Sequence, residues 1–105
     1  MVSDEPVLLI VGADRRELAP LAERLQDAEG LPWTAPWAVG GRLASMPVAL
    51  VAGGVGRQRA AAAVQQAAEH VPLRGVVSTG WCGGLDPGLA VAEVVVADRV
   101  FAQGD

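Results

Sequence analysis

Three short apolar runs, each closed by a glycine, constrain this chain more than any other feature. Val7-Leu8-Leu9-Ile10-Val11 stops at Gly12, Val48-Ala49-Leu50-Val51-Ala52 at Gly53, and Gly75-Val76-Val77-Ser78-Thr79 at Gly80. Their hydrophobicity is continuous rather than alternating, the pattern of strands buried on both faces. Such strands need helices above and below, and the sequence between them supplies two. Leu18, Leu21, Ala22, Leu25 and Ala28 recur at helical spacing, interleaved with charged Arg15, Arg16, Glu23, Arg24 and Asp27. Asp14 suits the N-cap of that helix, and Gly30 followed by Pro32 suits its end. An alanine-rich stretch from Arg57 to His70, with Pro72 just beyond, reads as the second helix.

Trp33 to Val39 and Arg42 to Val51 are extended runs on either side of Gly40-Gly41, which predicts a hairpin turn at the two glycines. A last strand is expected over Val91 to Val100, after the turn at Asp86-Pro87-Gly88. The order is therefore strand, helix, hairpin, helix, strand, loop, strand. This is an α/β class fold, a single domain over residues 1–105 with a mixed, largely parallel central sheet flanked by helices. The domain reads as incomplete, because an apolar strand lies directly before Phe101 to Asp105 and two helices are few for such a sheet. The remaining cover is expected from further chain or another subunit, and uncovered apolar surface favours assembly into a homo-oligomer.

A length of 105 residues, 51% of them apolar, supports one small core. The net charge of -4 argues against nucleic acid or an anionic membrane as the main partner. No apolar run approaches the roughly 20 residues that span a bilayer. Met1 to Pro6 is polar and acidic, the wrong order for a secretory signal, so a cytoplasmic setting is expected. The single cysteine, Cys82, can form no internal disulfide.

Four places carry candidate chemistry. Gly53-Gly54-Val55-Gly56 lies between a strand and a helix, where phosphate loops occur, but it lacks the spacing of a dinucleotide fingerprint or a Walker A loop. A tight turn explains it as well. Glu17 lies near the carboxyl end of the first strand, where α/β sheets bind ligands, and suits a general base or a water-positioning group. Its spacing from Asp14 is also that of a capping box, and spacing alone favours the cap. Arg15 and Arg16 oppose the helix dipole and could hold a phosphate or a partner's carboxylate, though such residues are more often simply solvated. His70, at a helix end, suits the dipole there and needs no catalytic role.

Thr79-Gly80-Trp81-Cys82-Gly83-Gly84 is the least ordinary segment. Its glycines allow a ligand to approach bare N–H groups, and Trp81 could stack on a planar base. A packed turn anchored by Trp81 is the competing reading. Cys82 is a poor nucleophile candidate, with no His–carboxylate partner identifiable.

In order and spacing these segments resemble the nucleoside phosphorylase-I superfamily, above all its methylthioadenosine/S-adenosylhomocysteine nucleosidase branch and bacterial nucleosidase-like relatives. Val11-Gly12-Ala13-Asp14-Arg15-Arg16-Glu17-Leu18 is similar to the family's first-strand Gly-Ala and the run ending in its catalytic Glu. Val48 to Gly56 is similar to its strand leading to Gly-Ile-Gly. Thr79 to Leu85 is similar to Thr-Gly-Ser-Ala-Gly-Gly-Leu, and Leu89 to Asp98 to the strand that follows.

The resemblance implies cleavage of the N-glycosidic bond of a purine nucleoside through an oxocarbenium-like transition state. Glu17 would orient the attacking water, which reverses the reading from spacing alone. Gly12, Ala13, Thr79, Gly80, Trp81, Cys82 and Gly83 would form the substrate-binding wall, with the backbone at Cys82 and Gly83 against the purine. Protonation makes the purine leave, so no metal and no cofactor are implied. Trp81 replaces the family's Ser, and Ser78 stands where phosphorylases tend to carry a phosphate-binding Arg. Both departures favour hydrolysis over phosphorolysis, or an unusual substrate, although Arg15 or Arg16 keeps a phosphate contact open. Glu93 takes the place of the family's Gly-Asp step.

The family's catalytic domain is about twice as long as this chain. Its ribose-binding Met-Glu pair and its purine-protonating Asp belong to the part not matched here. The 105-residue chain alone is therefore expected to show little or no turnover, and adenine release from it would overturn that expectation. A non-catalytic module that binds ligand or assembles is the remaining alternative.

Overall fold

A computed structural model describes residues 5–80 together with Val94 and Val96. Its elements in chain order are β1 (Val7–Gly12), α1 (Arg15–Ala22), β2 (Gln26–Gly30), β3 (Trp37–Leu43), β4 (Met46–Ala52), α2 (Arg57–His70) and β5 (Leu73–Ser78). The five strands form one sheet in the order β2-β3-β4-β1-β5. β1 pairs in parallel with β4 and with β5, while β3 pairs antiparallel with β2 and with β4. The mixed α/β sheet expected from the sequence is present. The strand expected over Val91 to Val100 lies outside the described residues, apart from Val94 and Val96.

The continuous apolar runs work because successive residues of a strand face opposite sides of the sheet. Val7, Leu9 and Val11 of β1, with Ala49 and Val51 of β4, pack on one face under Ala63 and Ala67 of α2. Ile10 and the alternate residues Val48, Leu50 and Ala52 pack on the other face with Leu18 of α1. Each helix thus closes one side of β1 and β4. Leu9, Leu18 and Leu50 are fully buried, each contributing about 1.5–3 kcal/mol of transfer free energy.

Three expectations need correction. The first helix does not run on to Ala28. It ends at Ala22, with Glu23 as C-cap, and the N–H groups of Arg24 and Leu25 donate to Leu21 and Ala22 in a tightened last turn. Pro20 inside α1 also removes a backbone donor. Asp27 then adopts φ 55°, a left-handed value that no helix continues through, at an irregularity in the pairing of β2. Leu25 keeps its helical spacing yet packs on the α1 side of the core by another route. The polar run Gln26–Gly30 becomes an exposed edge strand, and charge suits an edge that must not recruit other strands.

The hairpin turn is likewise not at Gly40-Gly41. β3 passes straight through both glycines and turns at Ala44-Ser45, where φ is 47° and 70°. Pairing runs from Trp37 opposite Ala52 to Leu43 opposite Met46. Arg42 Nη1 donates to the Ser45 carbonyl across that turn at 2.8 Å. Gly41 is needed for close approach instead. A Cβ there would lie 2.8 Å from the Gln26 carbonyl oxygen and 3.0 Å from Leu25 Cβ.

β5 is not buried on both faces either. Val76 and Val77 are 47% and 44% exposed; α1 packs over β4 and β1, and α2 over β1 with only a smaller contact on β5. His70 lies in the last turn of α2 as expected. Its ring stacks on Trp33, with centroids 5.4 Å apart and planes 12° from parallel. Gln66 Nε2 donates to Thr34 Oγ1 beside it, and the Ala35 N–H donates to Gln66 Oε1 at 3.1 Å, fastening the β2–β3 connection to α2.

Candidate active site

The three parallel strands end at one level, where the chain stitches them together. The Thr79 N–H donates to the Val11 carbonyl at 2.9 Å, while Gly53 and Gly54 donate to Gly12 and Ala13, both at 3.1 Å. The glycine that closes each apolar run therefore marks one edge of the sheet. Ligands of open α/β sheets bind outside this carboxyl edge. A hollow of about 350 Å³ opens there, walled by Gly12, Ala13 and Glu17 on the β1–α1 side. Gly54, Gly56 and Arg57 wall it on the β4–α2 side, and Ser78 and Thr79 at the end of β5.

Glu17 is held by the start of its own helix. Asp14 is the N-cap, and its carboxylate accepts from the Arg16 N–H at 2.8 Å. Glu17 returns the bond: its Oε1 accepts from the N–H groups of Asp14 at 2.9 Å and Ala13 at 3.0 Å. The capping box is formed. Its other oxygen, Oε2, lies toward β5, 2.6 Å from where a Cβ on residue 80 would stand. Capping and lining the hollow are thus not alternatives, since a carboxylate has two oxygens with separate acceptor sites.

The two arginines in the first turn divide. Arg16 returns to Asp14, with Nε 3.0 Å from Oδ1 and Nη2 3.1 Å from Oδ2. Those bonds hold the Asp14 carboxyl below its ordinary range and raise the Arg16 guanidinium. Both side chains are solvent-exposed, so the pair contributes little to stability. Arg15 lines a second hollow of about 400 Å³, together with Asp14, Arg16, Pro36 and Trp37. The two hollows adjoin at Ala13 and Gly54, which line both. Although the second is larger, the first holds the strand ends and Glu17, and it is the candidate site.

Among the residues expected at the site, the structure brings together Gly12, Ala13, Glu17 and Thr79, with Gly80 against Glu17. Trp81, Cys82 and Gly83 lie outside the described residues. Gly54 and Gly56, from the glycine loop that the sequence offers as either a ligand loop or a tight turn, are wall residues, and so is Arg57, which the sequence marks only as a helix start. Their signal was present. Gly54 and Gly56 sit at φ 107° and 101°, values that favour glycine. Arg57 is a cation in the first turn of α2, as unfavourable to a helix dipole as Arg15 and Arg16. Among the described residues no group of three His, Cys, Asp or Glu side chains is placed to hold a metal ion.

β4, β1 and β5 thus form a parallel core with a carboxylate in the wall of the hollow at its carboxyl edge. The sequence profile of the phosphorylase superfamily matches residues 7–105, and the chain belongs to that superfamily. Within it the chain is 34% identical over 91 residues to the 5'-methylthioadenosine/S-adenosylhomocysteine nucleosidase of Tolumonas auensis, covering 87% of this chain and 40% of that one. It is 31% identical over 96 residues to the same-named protein of Listeria monocytogenes, covering 91% and 41%.

Among solved structures, the nucleosidase of S. pneumoniae with a transition-state inhibitor superposes with a TM-score of 0.73 at 29% identity, over 81% of this chain and 37% of that one. The Colwellia psychrerythraea nucleosidase in complex with adenine superposes with a TM-score of 0.68 at 31% identity, over 82% and 36%. The chain therefore spans about two fifths of the length of the relatives it matches.

Proposed function

We propose that this chain supplies the N-terminal part of a purine nucleosidase site, which cleaves the N-glycosidic bond with water rather than phosphate. The observation that carries the proposal is the placement of Glu17, capped through Oε1 and standing in the wall of the hollow at the strand ends. A carboxylate held this way can accept a hydrogen bond from a water and aim its oxygen at the anomeric carbon. As the C–N bond breaks, the water oxygen bonds to the sugar carbon and its proton is released. The purine departs with the bonding electrons and takes a proton, giving free base and free sugar. Protonation of the base supplies the leaving group, so the reading needs no metal or organic cofactor.

The names of the matched relatives support this reading, as do Trp81 and Ser78, which replace the residues that the resemblance associates with phosphate. The remainder of the site belongs to polypeptide that this chain does not match. The half-exposed Val76 and Val77 of β5 support assembly with such polypeptide or with a second copy in a homo-oligomer. Residues 1–105 as part of one domain, and a cytoplasmic setting, belong to the same proposal. No helix among the described residues is long and apolar enough to cross a membrane.

Phosphate-dependent cleavage is the second reading, favoured by Arg57 in the wall of the hollow. One assay separates the two: release of adenine from methylthioadenosine by the natural gene product, with and without inorganic phosphate. Equal release in both conditions is expected. Release only with phosphate would overturn the hydrolytic reading, and no release from any purine nucleoside would overturn both.

A further inference from the structure

We infer that Gly80 is a positioning residue: by carrying no side chain, it sets where the Glu17 carboxylate stands. The inference rests on the reading of Glu17 as the water-orienting group. Glu17 Oε2 occupies space that any other residue at 80 would claim, since a Cβ there would lie 2.6 Å from Oε2 and 3.5 Å from Cδ. Ordinary contact begins near 3.4 Å, so Oε2 would have to withdraw by about 0.8 Å. It cannot withdraw alone. The carboxylate is planar, and its Oε1 is fixed by the Ala13 and Asp14 N–H groups at 3.0 and 2.9 Å. Displacing Oε2 therefore rotates or lengthens the cap bonds, or moves the last residues of the β5 run.

The geometry makes residue 80 the second jaw of a clamp whose first jaw is the β1–α1 turn. β5 ends in register with β1, Ser78 opposite Val11, and the Thr79 N–H bond to Val11 holds Gly80 at that height. Gly80 is exposed, so its substitution disturbs no core packing. What it disturbs is the carboxylate.

Two measurements test this. In the 105-residue chain, the ¹⁵N–¹H signals of Ala13 and Asp14 report the cap bonds directly. Gly80→Ala is expected to shift both signals in the parent, and to leave them unmoved in a Glu17→Ala background. In the active gene product, Gly80→Ala is expected to lower kcat by about 100-fold, the scale for an ångström-sized misplacement, with KM little changed. In a Glu17→Gln background the same change is expected to cost less than about 3-fold, because neighbouring changes that act on one group are not additive.

Unmoved Ala13 and Asp14 signals would overturn the inference, as would losses that simply multiply. If Glu17→Gln alone keeps full activity, the functional reading of Glu17 fails instead, and the amide shifts still decide whether residue 80 positions the carboxylate.

Discussion

Gly41→Ala and Gly30→Ala place the same methyl group in two strands and are expected to change stability in opposite directions. At Gly41 the new Cβ would meet the backbone oxygen of Gln26 at 2.8 Å and Leu25 Cβ at 3.0 Å. Neither is the free end of a side chain, so β2 and β3 must separate where they pair. Overpacking of this kind costs about 1–3 kcal/mol, less the roughly 0.5–1 kcal/mol that alanine gains over glycine inside a regular element. The net is a loss of up to about 2.5 kcal/mol. At Gly30 nothing lies within 4 Å of the added atom and the strand is exposed, so only the gain remains. For a chain of this size 1 kcal/mol moves the melting temperature by about 4–8 °C. Thermal melts followed by circular dichroism should show Gly41→Ala below the parent by up to about 20 °C and Gly30→Ala about 2–8 °C above it. A Gly41→Ala variant as stable as Gly30→Ala would refute the close approach of Leu25 and Gln26 to β3, and with it the assignment of Gln26–Gly30 as a strand.

Ala44-Ser45→Asn-Gly should raise the denaturant midpoint by an amount equivalent to about 1 kcal/mol, since both turn residues hold positive φ and that dipeptide adopts it readily; a lower midpoint would contradict the turn. Leu18→Ala removes a fully buried side chain beneath the site and should cost about 3 kcal/mol in chemical denaturation. A cost under about 1 kcal/mol would mean that α1 does not close its face of the sheet. The Asp14 carboxyl is held below its ordinary 3.8 by its bonds to Arg16, so the folded chain binds that proton less tightly than the unfolded chain. Its contribution is complete above pH 3.8 and is lost as pH falls through the lower folded value. Asparagine caps without titrating, so the stability difference between parent and Asp14→Asn should shrink as the solution is acidified through that range. A difference that grows on acidification would contradict the sign.

How much could be read from the sequence depended on how local the deciding force is. β1, β4 and α2 were legible because unbroken apolar runs and a long alanine-rich stretch leave one arrangement that buries them. The overlong first helix and the misplaced turn share one cause. The helical spacing of Leu25 and Ala28 is real, but β3 has an edge that the polar run Gln26–Gly30 covers, and Gly40-Gly41 is required by that neighbour rather than by a turn. Only the pairing of two strands shows either fact. At the site, Glu17 was legible twice, as a cap from its spacing and as a residue near the ligand-binding edge from its place after the first strand. That one carboxylate occupies both places follows from the opposite aim of its two oxygens. Arg57 and Gly54 reach the same hollow through the sheet order β4-β1-β5, which no local pattern encodes.

The central claim is that the Glu17 carboxylate orients the attacking water while its Oε1 caps α1. Glu17→Gln separates the two roles, because the amide oxygen still accepts from Ala13 and Asp14 whereas the negative charge is gone. Measured on the natural gene product, kcat for adenine release from methylthioadenosine should fall at least about 100-fold while the melting temperature stays within about 3 °C of the parent. An unchanged kcat at unchanged stability would contradict the account.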